Sequence, residues 1–201
     1  MNFISRELET DRLVLKVPTM SEQKALWEIL RLEEVNCLYM PTPGRFEGDR
    51  KAFLEALNNW DKQEKFYKKK IDNLGENSNM FTWSIFLKSA DVIGQITFQP
   101  HSDYEAYPTF REIGWFIDPK YQGVGYGTAA AKEVVKYMFE VVGIEKIDTS
   151  AAIINPGSWR IMEKVGFVRV GEKDSPYTDE SGEVIRAYHY VIDKDRFNTF
   201  K

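Results

Sequence analysis

Cysteine is nearly missing. Cys37 is the only one in 201 residues, which excludes an internal disulfide and any multi-cysteine metal cluster and suits a reducing compartment. Histidine is almost as scarce, with only His101 and His189, and no set of His, Cys, Asp and Glu has metal-ligand spacing, so no metal is expected. Neither histidine is near Cys37 in sequence, so an acyl-cysteine mechanism lacks an evident base. In Glu34-Val35-Asn36-Cys37-Leu38 the thiol reads as a small buried hydrophobe. No stretch approaches the ~18 apolar residues of a membrane span, and the opening Met1-Asn2-Phe3-Ile4-Ser5-Arg6-Glu7 has no apolar signal region. A cytoplasmic protein without a membrane partner is expected. A basic excess is missing too: 27 Lys and Arg stand against 31 Asp and Glu, a net charge of −4, so nucleic acid is not an expected partner. Without repeats, low-complexity tracts or Pro/Gly/Ser linkers, residues 1–201 are expected to form a single domain.

What is present begins with composition: 43% hydrophobic and 14% aromatic residues support a core of ordinary size. Arg12-Leu13-Val14-Leu15-Lys16-Val17 alternates apolar and polar and stops at Pro18, a strand pattern. Thr19 or Ser21 then caps a helix carrying Ala25, Leu26, Ile29 and Leu30. A second helical stretch after Gly48 carries Phe53, Leu54 and Leu57 and continues into a charged portion, Asp61 to Lys70, whose lysines read as a solvated face. Thr82 to Leu87 and Val92 to Phe98 flank Lys88-Ser89-Ala90-Asp91, which predicts an antiparallel hairpin. An aromatic loop with His101, Tyr104 and Tyr107 leads to a strand, Glu112 to Ile117, ended by Asp118-Pro119. A helix follows over Thr128 to Val142, with Ala130, Ala131, Val134, Val135 and Met138 inward, and stops at Gly143. Lys146 to Ile154 is strand-like. Asn155-Pro156 opens a short helix ending at Gly166, and Phe167 to Glu172 and Arg186 to Ile192 close the chain as strands around a turn-rich stretch with Pro176 and Ser181-Gly182. The order predicts an α/β (mixed α+β) fold, a mixed sheet flanked by helices.

The segment richest in chemistry is Gln122-Gly123-Val124-Gly125-Tyr126-Gly127, between a strand and an amphipathic helix. Such a turn presents several backbone N–H groups at the positive end of a helix dipole, and its missing side chains admit a phosphate or pyrophosphate; a sharp turn that binds nothing is the alternative. A P-loop string is absent. A dinucleotide fingerprint fits Gly125-x-Gly127-x-x-Ala130 only in its weaker form, with five residues between strand and glycines and too little chain after the loop for a doubly wound sheet.

These residues resemble the GNAT superfamily of N-acetyltransferases, whose signature Gln/Arg-x-x-Gly-x-Gly/Ala appears as Gln122-x-x-Gly125-x-Gly127. Glu112-Ile113-Gly114-Trp115 and the run from Asn155-Pro156-Gly157-Ser158 to Val165-Gly166-Phe167 match as well. The opening Leu8-Glu9-Thr10-Asp11-Arg12-Leu13-Val14-Leu15 resembles the RimJ/RimL-type branch, whose founding members acetylate ribosomal protein N-termini. The Asn58 to Asn79 region is the least family-like. The resemblance implies a central twisted sheet whose two parallel strands, Glu112 to Ile117 and Lys146 to Ile154, splay apart around a thioester. It implies acetyl-CoA as acyl donor, its pyrophosphate on the amides of Gly123, Val124, Gly125, Tyr126, Gly127 and Thr128 beside Gln122. The pantetheine arm would pair with Trp115, Phe116 and Ile117 as an added strand and reach Asn155.

The implied reaction is direct attack of a neutral primary amine on the thioester, which needs a proton acceptor, an oxyanion donor and help for the leaving thiolate. A backbone N–H near Phe116 or Ile117 is the expected oxyanion donor. Many family members place a tyrosine acid seven residues after the helix-opening asparagine, where this chain has Met162. The RimJ/RimL-type serine is matched by Ser158, and a thiol with a reference pKa of ~8.5 leaves with no more than a hydroxyl hydrogen bond. Ser158 also reads as a simple first-turn residue. Glu112, at the start of the splayed strand, is the candidate base; its alternative is a surface ion pair with Arg111 or a lysine. His189, between Tyr188 and Tyr190, reads as structural, and His101 as a specificity residue for the acceptor. A protein or peptide N-terminus and a small-molecule amine are both open as acceptors, a homodimer is one assembly open to the chain, and a non-catalytic acyl-CoA sensor is the alternative function.

Overall fold

The computed structural model describes residues 6–36, 50–74, 80–100, 111–178 and 183–200. Cys37, Gly48, His101, Tyr104, Tyr107 and Ser181-Gly182 lie outside the described residues.

Strands β1 (Leu8–Glu9), β2 (Leu13–Lys16), β3 (Phe81–Leu87), β4 (Val92–Pro100) and β5 (Arg111–Ile117) form a five-stranded sheet in that order, each pair antiparallel. β6 (Lys146–Ala152), β7 (Val168–Thr178) and β8 (Val184–Asp193) form a second, three-stranded sheet in the order β6-β8-β7, also antiparallel. The expected mixed α/β fold is present, with its sheet divided into two antiparallel blocks. The division falls between β5 and β6, the two strands expected to splay.

Helix α1 (Met20–Leu30) starts at a capping box in which Thr19 and Glu22 satisfy each other's backbone N–H groups. Glu22 is buried at 8% exposure and accepts from Thr19 N at 2.8 Å, Thr19 Oγ1 at 2.6 Å, Ser21 Oγ at 2.9 Å and Ser84 Oγ on β3 at 2.9 Å. After the short α2 (Glu33–Asn36), the expected second helical stretch is two helices, α3 (Arg50–Leu57) and α4 (Trp60–Asp72). Asn59 breaks it by accepting from Lys62 N at 3.1 Å as a new N-cap. The Trp27 indole of α1 donates to Leu57 O at 2.6 Å, which ties α1 to the end of α3.

Helix α5 (Tyr126–Tyr137) starts two residues earlier than the sequence predicts and passes into a wide π turn, Met138–Val142, stopped by Gly143 at φ +77°. α6 (Pro156–Val165) has the expected ends. β7 runs through Pro176, taken from sequence as turn, because β7 is an edge strand and its pairing is irregular between Asp174 and Thr178. A helix the pattern did not suggest, α7 (Lys194–Phe200), follows β8, with Asp193 Oδ1 accepting from Arg196 N at 2.8 Å.

Two apolar clusters result. One joins both sheets beneath α5, through residues such as Leu13, Trp83, Ile117, Val134, Ile147 and Tyr190. The other lies under α1, α3 and α4, with Val92 and Phe116 of the large sheet packed against it. The large sheet is therefore covered on both faces.

Burial works to raise the Glu22 carboxyl, and the hydrogen bonds from Thr19, Ser21 and Ser84 outweigh it, so its pKa is lowered. A depressed carboxyl contributes stability that is present above its unfolded value of ~4.3 and is lost as pH falls through the folded value. Glu22→Gln is expected to melt below wild type at neutral pH, with the gap in Tm closing as pH falls below ~4. Thermal melts of both proteins across that range check this; a gap independent of pH contradicts it.

Candidate active site

The geometry of β5 sets the site. On one edge it pairs with β4, Phe116 opposite Gln95 and Gly114 opposite Thr97. On the other it abuts β6 with no backbone ladder between them. The contact there is a side chain to backbone bond, Thr149 Oγ1 to Ile113 O at 3.4 Å. In a strand the N–H and C=O of one residue point the same way and alternate from residue to residue. Ile113 faces β6, so Trp115 and Ile117 present their backbone groups to the seam. Asp118 N donates to Ile93 O of β4 at 2.8 Å, as that alternation requires.

Side chains alternate as well. Ile113 and Ile117 of β5 and Ile147 and Ala151 of β6 enter the core beneath α5. Glu112, Gly114 and Phe116, and likewise Asp148 and Ser150, are thereby turned to the opposite face. There the buried Asp148 carboxylate holds His189 Nε2 at 2.6 Å and Lys146 Nζ at 3.5 Å. His189 is thus a cross-strand partner of a buried acid. Glu112 is half-buried, opposite Gln99, and by strand rise lies roughly 16 Å along β5 from Ile117.

At the C-terminal end of β5, Asp118 accepts from Lys120 N at 3.0 Å and starts a single 3-10 turn. The Gln122 amide then donates to Ile117 O at 2.8 Å, bracing the strand end against the loop. Gly123 and Gly125 have φ of +79° and +90°, a region costly for any side chain. Gly125 is the N-cap of α5 and supplies no side-chain acceptor. The N-termini of α1, α4 and α6 do have one, from Thr19, Asn59 and Asn155.

α6 starts beside α5. Asn155 Oδ1 accepts from Ser158 N at 3.1 Å, so the asparagine is a cap, and Ser158 is half-buried in the first turn. The Trp159 indole donates to Ile153 O at 3.2 Å and meets Tyr188 edge-on at 6.0 Å. Tyr190 donates to Glu163 at 2.9 Å, and burial together with that carboxylate pushes its phenol up to about 12. It stays protonated and clamps α6 to β8. Met162 is buried at 1% exposure in the core, so a thioether fills the position of the tyrosine acid. Gly127 sets the spacing of the two helices: a Cβ there would lie 2.9 Å from Ile161 Cδ1 and 3.7 Å from Ile117 Cγ1.

The structure thus gathers Trp115 to Ile117, Gln122 to Thr128, Asn155 and Ser158 around the C-terminal ends of two strands, and sets Glu112 apart on the far face. Arg12 was missed as a member of this group. It donates from Nη1 to Val124 O at 3.0 Å and covers the Tyr126 ring at 4.8 Å. No sequence spacing announces a contact across 112 residues. Among the described residues no three His, Cys, Asp or Glu gather as a metal site, and no helix is long and apolar enough to cross a membrane.

Comparison with known proteins gives a match to the acetyltransferase (GNAT) domain over residues 12–168. An uncharacterized N-acetyltransferase of Bacillus subtilis, YnaD, is 27% identical over 198 residues, covering 95% of this chain and 99% of that one. The spermidine N-acetyltransferase of Vibrio cholerae, solved with CoA and spermine, superposes with a TM-score of 0.72 at 17% identity, over 94% of this chain and 99% of that one. The ribosomal-protein-S5-alanine acetyltransferase of Vibrio fischeri has a TM-score of 0.72 at 16% identity, over 94% and 97%.

Gly127→Val is expected to destabilise the fold by about 1–3 kcal/mol, because a branched side chain drives Ile161 and Ile117 apart. Gly127→Ala is expected to be close to neutral, since the terminal methyl of Ile161 can rotate away. Chemical denaturation of the pair checks this, and equal costs for both contradict it.

Proposed function

The chain belongs to the GNAT family of acetyltransferases and is an N-acetyltransferase; on that basis we propose that it takes the acetyl group from acetyl-CoA and passes it to a primary amine by direct attack, as one catalytic unit in the cytoplasm. The carrying observation is the start of α5, where a left-handed glycine without a capping side chain meets the end of a strand whose outer edge has no ladder. First-turn N–H groups need acceptors, and a pyrophosphate supplies them with charge of the sign the helix dipole favours.

In this reading the amides from Gly123 to Thr128 hold the pyrophosphate, and Gln122 keeps the loop against Ile117. The pantetheine arm lies along Trp115 to Ile117, pairing with the seam-facing backbone of Trp115 and Ile117 as an added strand. Phe116 lies between them with its backbone toward β4, and Ile117 lies at the phosphate end of the arm, so the thioester falls at the other end, where the seam-facing Trp115 N–H takes the oxyanion role expected near Phe116 or Ile117. Asn155, its Oδ1 spent on the cap, offers Nδ2 to the arm, and the Ser158 hydroxyl supports the departing thiolate. Glu112, on the face opposite α5 and roughly 10 Å along β5 from Trp115 by strand rise, takes the proton through water from an amine arriving from that side. The two Vibrio neighbours act on amines of different kinds by their names, an alanine of ribosomal protein S5 and the polyamine spermidine. The Leu8 to Leu15 opening favours a RimJ/RimL-type acceptor, a protein or peptide N-terminus. A non-catalytic sensor gains no support from relatives that are named as acetyltransferases. Release of free CoA thiol with a panel of amines and N-terminal peptides tests turnover directly, and binding of acetyl-CoA without release under any of them favours the sensor.

Gly125→Glu, kept folded by circular dichroism, is expected to lose acetyl-CoA affinity by roughly 100-fold, since it adds bulk and like charge at the phosphates. Calorimetry showing wild-type affinity rules the loop out.

An amine near pKa ~10 arrives as the ammonium, so the rate rises with pH as its proton acceptor ionises. With one acceptor used for both proteins, Glu112→Gln is expected to lower kcat/KM about 100-fold and remove the low-pH limb. A wild-type profile in the variant gives the proton to another acceptor.

A further inference from the structure

We infer that Arg12 is a positioning residue for the acyl donor: it holds the Val124 carbonyl so that the Gly125 N–H is turned into the pyrophosphate site. This rests on the reading of the loop as that site. The described peptide bonds are all trans, so the Val124 C=O and the Gly125 N–H point in opposite directions across one plane. Arg12 Nη1, 3.0 Å from that oxygen, fixes where the N–H goes.

The loop needs such a device because of its own composition. Gly123 and Gly125 flank Val124, and glycines that let a phosphate approach also let the peptide between them rotate at little cost. Gly125 has no side chain and Val124 no polar group, so the restraint comes from elsewhere in the chain. Arg12 is well placed to supply it. Thr10 N donates to Leu13 O at 2.9 Å, and Thr10 Oγ1 accepts from Leu13 N at 2.9 Å and Arg12 N at 3.3 Å. That tight turn is pinned by Leu8 and the fully buried Leu13 and Leu15, and its strand pairs on into β3. The guanidinium rests on the Tyr126 ring at 4.8 Å, and its Nη2 would be 3.3 Å from a Cβ on Gly125. The loop from Gln122 to Gly127 carries no charge, so Arg12 also brings a cation with donors remaining after the one used on Val124. The Leu8 to Leu15 motif, which sequence alone marks without giving it a task, becomes a hairpin anchored by its buried leucines that presents one arginine to the loop.

The test compares acetyl-CoA with S-acetylpantetheine, which has the same thioester and arm but no pyrophosphate. In Arg12→Ala the ratio of kcat/KM for acetyl-CoA over S-acetylpantetheine is expected to fall about tenfold, the scale of a lost charge-assisted hydrogen bond. The fall is expected in KM for acetyl-CoA, with kcat at saturation little changed. Partial unfolding lowers both donors alike and cancels in the ratio. An unchanged ratio in the variant overturns the role of Arg12. A wild-type enzyme that does not prefer acetyl-CoA overturns the loop assignment itself, and Arg12 with it.

Discussion

Two neighbouring strands that do not pair govern this structure. β5 has β4 on one edge and β6 beside the other, yet no ladder joins β5 to β6. Backbone N–H and C=O groups inside a protein need partners, so an edge held open in the middle of a fold is a standing demand for a ligand with amide-like groups. The cores on either side maintain the opening. Ile113, Ile117, Ile147 and Ala151 anchor both strands beneath α5, and Thr149 spans the seam with a single long hydrogen bond to Ile113. The strands stay adjacent because their side chains share a core, and remain unzipped because they belong to separately paired sheets.

Both strands end at a helix N-terminus, and the two helices are treated differently. α6 is closed by Asn155, whose side chain meets the first-turn amide of Ser158. α5 starts at Gly125 and has no such closure, so of two dipoles side by side only one is left for an outside acceptor. Gly127 lets the pair approach until Ile161 fills the space a methyl group would take. That close packing brings the cap of α6 and the glycine loop to one mouth of the seam.

Much of this was legible where a local rule sufficed. Gly123, Gly125, Gly143 and Gly166 all take positive φ, as glycines punctuating a loop or a helix end do. Asn155-Pro156 announced α6, and period-two alternation gave β3 and β4. Reading failed where the deciding partner was distant or the signal short. Asn59 lies inside a stretch expected as one continuous helical run, and its cap splits α3 from α4. Pro176 argued for a turn, and an edge position in an irregular ladder lets it lie in β7. The seven residues of α7 follow a cap, Asp193, that also ends a strand. Arg12 carried its motif's resemblance but no visible task, because the task is a contact with Val124 made only after folding.

The alternation that opens the seam also sorts charge. On the α5 side its mouth is glycine, uncharged amides and the Arg12 guanidinium, suited to an anionic phosphate. The opposite face carries Glu112 and the Asp148 carboxylate, the latter already matched by Lys146 and His189. The two surfaces answer to different parts of the chain. In the proposed reading, phosphate recognition depends on backbone geometry between β5 and α5, braced by Arg12 from the turn before β2. The opposite face is made of side chains at alternate positions of β5, β6 and β8, which can change without moving the β5 backbone. In the proposed reading such a division lets one donor site serve many amines, with the acceptor selected by side chains on the Glu112 face, outside the glycine loop.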